Sequence, residues 1–314
     1  MIEALFGWPP PVLDPMGPYA EPVRTVAWAL FALGTVVTTL VIAAMFLAWR
    51  GPERWRKRLG GERSILVFGV AVPAVVLAGL LVWGLTLTAN LDRPPTSAAM
   101  KVRVIGEMWW FRVQYLDGDG RVVAEDANEL RLPVGRPVQI ELTSADVIHS
   151  FWVPHLAGKK DMIPGRTNLL TVQADRAGDY GAVCAEFCGR AHALMGMLVI
   201  ATPPEEFADW WRGRLQRKTA PSPSSGGFAS FVNAGCAACH AIDGTAAQGK
   251  TGPNLTNVAA RRKLGAGILD NTPGTLTGWV ANSQSIKPGN RMPNYERLDP
   301  AELKSVVDYL GTLK

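Results

Sequence analysis

Cysteine and histidine are both scarce in this sequence, with four of each among 314 residues. So few cysteines exclude a small domain held together by a disulfide framework, which needs a much higher cysteine density. Charged residues make up only 19% and hydrophobic residues 48%, and this balance excludes both a disordered chain and one embedded wholly in a membrane. The length is that of roughly two domains of ordinary size.

Two long stretches lack charge altogether. Residues 25–49 and 64–91 contain no Asp, Glu, Lys or Arg. Each stretch exceeds the roughly 20 apolar residues that an α-helix needs to cross a bilayer. We therefore predict a transmembrane helix hairpin over residues 23–91. A pair of long helices buried in a soluble core is the alternative.

The net charge of +5 is distributed unevenly. Residues 50–63, between the two uncharged stretches, hold six basic and two acidic side chains, whereas the first 23 residues hold three acidic and no basic ones. Because positively charged loops stay in the cytoplasm, we expect the hairpin loop inside and both chain ends outside. A short basic connector between two spans does not predict nucleic-acid binding, and no secretory signal is recognisable before it.

Short alternating runs follow the second stretch, at residues 102–115, 121–132, 137–142, 168–172 and 195–200. Such runs, separated by Gly and Asp turns, predict an antiparallel β-sandwich or barrel of about 100 residues. We assign this β domain to residues 92–218, after an outer N-terminal segment at 1–22. The sequence APSPSSGG then predicts a flexible linker over 219–227, which would let a mostly helical domain at 228–314 move.

The first cluster of reactive side chains lies in the predicted β domain. The string CAEFCGRAHALM, at residues 184–195, carries two thiols, an imidazole and a thioether, and His149 precedes it at the end of a predicted strand. Thiolate and thioether ligands are soft and favour copper, and imidazole suits copper too. The cysteine spacing predicts two bridged copper ions. A structural zinc site or a disulfide is the alternative, although zinc sites do not use a thioether such as that of Met195.

These features resemble subunit II of the haem–copper terminal oxidases. The resemblance rests on the uncharged hairpin, on HSFWVP at 149–154, on GKKDMIPGR at 158–166 and on the cysteine string. It implies a cupredoxin-like domain that holds the dinuclear copper centre CuA. The implied copper ligands are His149, Cys184, Cys188, His192, Met195 and the carbonyl oxygen of Glu186.

The same resemblance implies two further roles. The Glu186 carboxylate would bind a magnesium ion at the boundary with subunit I, and electrons would enter at Trp109. Simple packing of a strand near the copper is the alternative for Trp109. Met108 stands where the family commonly has Gln, and Leu66 where many members have a glutamate near a proton-uptake path. His155 lies outside the pattern and is interpreted as a surface or core histidine.

The second cluster is CAACH at residues 236–240, the attachment motif for c-type haem. Cys236 and Cys239 would hold the porphyrin, and His240 would bind the iron. Met292 is the only methionine after Gly226, and His/Met ligation raises the reduction potential as an electron carrier needs. An open or water-bound iron is the alternative. Residues 228–314 resemble the small cytochrome c family, including GPNL at 252–255 and a tryptophan at 279 that pack against the haem.

A subunit II with a fused cytochrome c resembles the caa-type cytochrome c oxidases. This implies a membrane-anchored multidomain protein with a two-helix transmembrane hairpin, an all-β cupredoxin-like CuA domain and an all-α class I cytochrome c domain. It implies a bacterial plasma membrane with both chain ends on the periplasmic side. The implied partners are subunit I, subunit III and an external donor such as cytochrome c, without nucleic acid.

In the oxidases, electrons would pass from the external donor through haem c and CuA to the haem of subunit I, where dioxygen is reduced to water with proton translocation. Three other interpretations remain open: the CuA subunit of a nitric oxide reductase, a free membrane-tethered electron carrier, and a structural zinc protein. The GKKDMIPGR stretch and Glu186 favour a docked subunit over a free carrier, which has no need of them. Met195 and the haem motif disfavour the zinc protein.

Overall fold

The structure is a computed structural model that describes residues 10–91, 100–216 and 226–314. The chain divides into two units, one formed by residues 21–94 and the other by residues 1–20 together with 95–314. Most of the predicted linker at 219–227 lies outside the described residues. Its last two residues, Gly226 and Gly227, already belong to a helix.

The described residues of the first unit, 21–91, are mostly helical. Its elements are α1 (Glu21–Arg50), α2 (Glu53–Leu59), α3 (Glu62–Leu66), a π-helical turn (Val67–Ala71) and α4 (Val72–Leu91). The π-helical turn lies just before Pro73, which has no N–H to continue the α-helical hydrogen bonds. The two long apolar spans have mean hydropathies of 2.4 and 2.8 and bury none of their most apolar residues, which contradicts the alternative of helices buried in a soluble core.

Ten strands form the β-sandwich as two five-stranded sheets. They are β1 (Met100–Glu107), β2 (Trp110–Leu116), β3 (Val122–Ala127), β4 (Glu129–Pro133), β5 (Val138–Ser144), β6 (His149–Trp152), β7 (Lys160–Met162), β8 (Asn168–Val172), β9 (Gly178–Cys184) and β10 (Gly196–Thr202). The sheet orders are β3-β2-β1-β5-β8 and β4-β10-β9-β6-β7. Because β1 pairs with β5, and β4 with β10, in parallel, the sheets are mixed, and the expected purely antiparallel sandwich is wrong.

Alternating side chains fill the space between the two sheets. Val102 and Val104 of β1 lie opposite Ile140 and Leu142 of β5, and all four are fully buried. Burying an aliphatic side chain of this size contributes about 1.5–3 kcal/mol. The buried core continues into residues 184–195, so the cysteine string is packed against the sandwich rather than exposed in a free loop.

Asn128 divides one predicted strand into two. The run at 121–132 forms β3 and β4, which lie in different sheets, and Asn128 lies between them with a φ of 59°. Its side-chain oxygen Oδ1 accepts a hydrogen bond from the Phe111 N–H at 2.8 Å. Asn tolerates this left-handed conformation better than most residues, and the turn moves the chain from one sheet to the other.

A helix and the haem-motif domain complete the outer unit. Helix α5 (Pro204–Gln216) packs Trp210 and Trp211 against Tyr115 at ring distances of 5.5 and 5.4 Å. The last domain contains α6 (Gly226–Asn233), β11 (Lys263–Leu264), β12 (Leu269–Asp270), α7 (Pro273–Ala281), α8 (Ser283–Ile286) and α9 (Pro300–Leu310). Helix α9 buries Val306, Val307 and Leu310.

Candidate functional site

The two cysteines of the string lie side by side in the sandwich core. Cys184 ends β9, and the turn after it brings the Sγ atom of Cys188 to 3.7 Å from the Sγ atom of Cys184. Nδ1 of His149 lies 3.7 Å from the Cys184 sulfur. His149 begins β6, whereas the sequence placed it at the end of a strand. All three side chains are buried, and their donor atoms lie within 4.8 Å of one another.

The remaining predicted ligands surround the same pair of sulfurs. Nδ1 of His192 lies 3.5 Å from the Cys188 sulfur, and the Met195 sulfur lies 3.9 Å from it. On the other side, the carbonyl oxygen of Glu186 lies 3.2 Å from the Cys184 sulfur. Each thiol therefore has one imidazole and one weaker donor beside it, and the two thiols lie between these pairs.

The donor set fits a dinuclear copper centre. Soft sulfur donors, imidazoles and a thioether are the ligands that copper prefers. A disulfide has an S–S distance of about 2.0 Å, and both cysteines are free in this structure. Their sulfurs face each other with a donor pair on either side, as two thiolates that bridge two metal ions would require. The hydrogen bond between the two sulfurs lowers the pKa of Cys184 and raises the pKa of Cys188, so the metal-free pair shares one proton.

Asp146, for which no role was predicted from the sequence, orients the first imidazole. Its Oδ1 atom lies 2.9 Å from Nε2 of His149, so the Nδ1 atom is left facing Cys184. Its Oδ2 atom accepts a hydrogen bond from the Met108 N–H at 2.8 Å. A metal-binding histidine usually has such a carboxylate on its second nitrogen. The acidic residue three positions before His149 was the available signal.

Trp109 packs directly against the cysteine turn. Its indole Nε1–H donates to the carbonyl oxygen of Cys188 at 2.9 Å. Gly189 has a φ of +111°, and a Cβ atom there would lie 3.2 Å from the indole ring. The tryptophan is 9% exposed. Its ring is thus held beside the candidate copper ligands.

The haem motif lines a second site. Cys236, Cys239, His240 and Met292 all line a cavity of about 290 Å³ in the last domain. Nδ1 of His240 lies 2.8 Å from the carbonyl oxygen of Pro253, which leaves Nε2 available to an iron ion. Burial lowers the pKa of His240 and so favours the neutral imidazole that binds metals.

The backbone at Gly252 packs closely against the His240 ring in this cavity. A Cβ atom at Gly252 would lie only 2.6 Å from Cε1 of the imidazole, so a larger residue there would displace the ring. Trp279 and Leu255 also line the cavity, as the resemblance to cytochrome c implies for residues that pack against the porphyrin. Because Cys236, Cys239, His240 and Met292 line one cavity, these residues could hold a covalently attached haem.

The β domain closes one side of the haem cavity. Met108, Trp109 and Trp110 line it together with residues of the last domain. Nζ of Lys287, which is 3% exposed, donates to the carbonyl oxygens of Trp109 at 2.6 Å and Gly265 at 3.2 Å. Burial lowers the pKa of Lys287 to about 7. Trp109 therefore contacts the cysteine turn through its ring and the last domain through its backbone.

Glu186 and His155 lie away from these contacts. The Glu186 carboxylate is partly exposed and lies 3.7 Å from Nζ of Lys159, which itself lies 3.9 Å from Asp161. The magnesium role of Glu186 stays a prediction. Nδ1 of His155 lies 2.7 Å from the carbonyl oxygen of Asp14, so this histidine ties the N-terminal segment to the β domain.

Comparison with known proteins places these features in two families. Residues 111–202 match the family of the cytochrome c oxidase subunit II periplasmic domain, and residues 224–314 match the cytochrome c family. Cytochrome c oxidase subunit 2 of Alkalihalophilus pseudofirmus is 31% identical over 315 residues, which cover 96% of this chain and 90% of that protein. The corresponding subunit of Bacillus subtilis is 31% identical and covers 82% of this chain and 77% of its own length.

Among solved structures, the periplasmic domain of subunit II of cytochrome oxidase from Bradyrhizobium japonicum is 28% identical, with a TM-score of 0.35. The match covers 38% of this chain and 94% of that domain. The match to the Alkalihalophilus protein spans nearly the whole of both chains, and the two family matches cover the β domain and the last domain of this chain. This chain therefore belongs to the cytochrome c oxidase subunit 2 family, in the caa-type form that carries a fused cytochrome c domain.

Proposed function

We propose that this subunit passes electrons from an external donor through haem c and the dinuclear CuA centre to the haem of subunit I, where dioxygen is reduced to water. The observation that carries this proposal is the position of Trp109, which lines the haem cavity and donates a hydrogen bond to Cys188. Haem and copper, when bound, supply reversible one-electron chemistry. The protein supplies the ligands, their spacing and a dry environment.

The residues around the candidate copper site favour small movements of the ligands when an electron is gained or lost. Cys184, Cys188 and Met195 are buried in the sandwich core, and Asp146 fixes the orientation of His149. A site whose ligands are held by packing on all sides changes little when its charge changes, as electron transfer requires.

The burial of Trp109 sets the order of the steps. The last domain covers this residue, because Lys287 binds its carbonyl group and the haem cavity lies against it. An external donor therefore delivers its electron to the cytochrome c domain first. The proposal includes four further points. The external donor is of the cytochrome c type, and both chain ends lie on the periplasmic side. Glu186 binds magnesium beside subunit I, and subunit III is a further partner of the complex.

Purification of the whole complex in mild detergent tests this function. We expect subunit I to co-purify and the complex to consume dioxygen. After the metals of the partner subunit are subtracted, copper and iron should be present in a ratio of about 2:1. Consumption of nitric oxide alone would replace the oxidase with a nitric oxide reductase. Isolation without any partner would favour a free electron carrier, and zinc in place of copper would refute the CuA assignment.

Two substitutions test the residues of the route. Met292→Ala is expected to lower the haem potential and change its spin state, because a thioether ligand raises the potential; an unchanged spectrum would remove Met292 as the ligand. Trp109→Phe is expected to slow reduction of copper by the haem in a flash experiment. Trp110→Phe, in the adjacent residue, is the matched control, and equal effects of the two would contradict a special role for Trp109.

A further inference from the structure

A buried ion cluster joins the cytochrome c domain to the β domain. Asp126, at the end of β3, accepts a hydrogen bond from Nε of Arg261 at 2.8 Å and lies 3.2 Å from Nη2 of Arg214. Arg261 belongs to the cytochrome c domain, whereas Arg214 belongs to helix α5 of the β domain. All three residues are at most 9% exposed.

Backbone groups make further contacts across the same boundary. The Lys263 N–H donates to Oε1 of Glu129 at 3.1 Å, and the Gly196 N–H donates to the carbonyl oxygen of Ala266 at 3.1 Å. Gly196 directly follows Met195, a candidate copper ligand. Each contact joins a backbone N–H of one domain to an acceptor on the other domain, so both hydrogen bonds are lost when the domains separate.

Buried charges specify position more strongly than they add affinity. Asp126 keeps Arg214 of its own domain as a partner, but a docked arrangement that buried Arg261 away from Asp126 would leave Arg261 as an uncompensated buried charge, which is strongly unfavourable. The tether between the domains gives an effective concentration in the millimolar range, so a modest interface is enough to keep them together. The ion cluster therefore selects one docked position out of the many that the tether allows.

We propose that the cytochrome c domain is locked in one position on the β domain by the buried Asp126–Arg261 pair, rather than moving freely on its linker. This inference goes beyond the electron route, and its test does not require electron transfer. Because the locked position covers Trp109, the cytochrome c domain also excludes other proteins from that surface.

Amide hydrogen exchange on the full-length haem- and copper-loaded chain tests the lock. The reporters are the amides of Lys263 and Gly196, which lie on opposite domains and bond across the boundary. In the natural chain we expect both to be protected and to open with the same free energy. Amides of the β1–β2 ladder serve as internal reporters of the fold.

Arg261→Met is the main variant, and Arg262→Met is its matched control. Arg262 is the next residue and also reaches the β domain, but its ion pair with Asp179 is nearly half exposed and such pairs contribute little. We expect Arg261→Met to accelerate exchange at both reporters at least tenfold, with the ladder amides unchanged. Arg262→Met should change exchange by less than threefold. Asp126→Asn should act like Arg261→Met.

The outcomes separate a lock from a local contact. Faster exchange at Lys263 with continued protection of Gly196 would mean local fraying around residue 261 and would overturn the proposal. Unprotected reporters in the natural chain would overturn it without any variant, so the test survives even if Arg261→Met fails to fold. Equal acceleration at both reporters, with a stable β1–β2 ladder, supports the lock.

Discussion

Glu129 is a buried carboxyl group at the boundary between the β domain and the cytochrome c domain. It is 4% exposed, and its Oε1 atom accepts hydrogen bonds from the backbone N–H groups of Arg262 and Lys263. Burial, and then the nearby Asp126 carboxylate, raise the pKa of Glu129 to about 7, against the influence of those N–H groups and of Arg261. Docking of the two domains should therefore depend on pH.

The sign follows from where the proton is bound. Below pH 4.5 the carboxyl is protonated whether the domains are docked or apart, and above about pH 7 it is ionised in both states. Between these values only the docked state keeps the proton, so docking weakens as the pH rises from 4.5 to 7. Since one pKa unit corresponds to about 1.4 kcal/mol, the upper limit of this loss is roughly 3 kcal/mol, or a few hundredfold in the docking equilibrium.

Exchange at the Gly196 amide measures this loss, because that amide bonds across the boundary but does not touch Glu129. After correction for base catalysis, its protection factor should fall between pH 5 and 7. Glu129→Gln should remove the pH dependence, because an amide does not titrate. Glu141→Gln is the control, because Glu141 pairs with Arg103 inside one sheet, and this variant should keep the pH dependence.

Two results would refute this reasoning. A protection factor that rises between pH 5 and 7 would mean that the docked state prefers the ionised carboxylate. A slope that survives in the Glu129→Gln variant would assign the effect to another group at the boundary.

Three further substitutions test the two metal sites. Cys188→Ser is expected to abolish the mixed-valence copper signal in electron paramagnetic resonance, and a persistent signal would argue against a thiolate bridge. Gly252→Ala should reduce covalent haem incorporation, measured by iron content, because its Cβ would lie 2.6 Å from the His240 ring; Gly278→Ala, where a Cβ meets nothing within 4 Å, should leave it unchanged. Asp146→Asn should weaken copper binding by about 10–100-fold in a competition titration, and unchanged affinity would remove its orienting role.

The fold class could be predicted because its signals are local. Two uncharged runs predicted the long apolar helices, and alternation predicted strands such as β5 and β8, which the structure confirms. Strand β9 was missed, since GDYGAVC is apolar and glycine-rich without a clean alternation. The parallel pairing of β1 with β5 was also missed, because pairing depends on contacts between distant residues that no local pattern records.

The candidate copper ligands could be predicted for a similar reason, since five of the six predicted donors lie within one string of 12 residues. The structure brings Nδ1 of His149 to 3.7 Å from the Cys184 sulfur. The ligand assignments themselves stay predictions. Asp146 was missed because a single aspartate before a histidine is common, and only the fold shows that its carboxylate reaches the second ring nitrogen.

The position of the cytochrome c domain is a feature that the linker composition does not describe. A Pro-, Ser- and Gly-rich linker predicts freedom, but linker composition describes only the tether and not the surfaces that it joins. Asp126 and Arg261 are 135 residues apart in sequence, and each alone is an ordinary charged residue. These two residues are buried against each other, and Lys287 is buried against the backbone of Trp109. In the proposed lock, these buried contacts limit the movement of the cytochrome c domain that the tether would allow. The mobility of a fused domain in a chain of this kind therefore depends on the charges that are buried between the domains, and not on the linker alone.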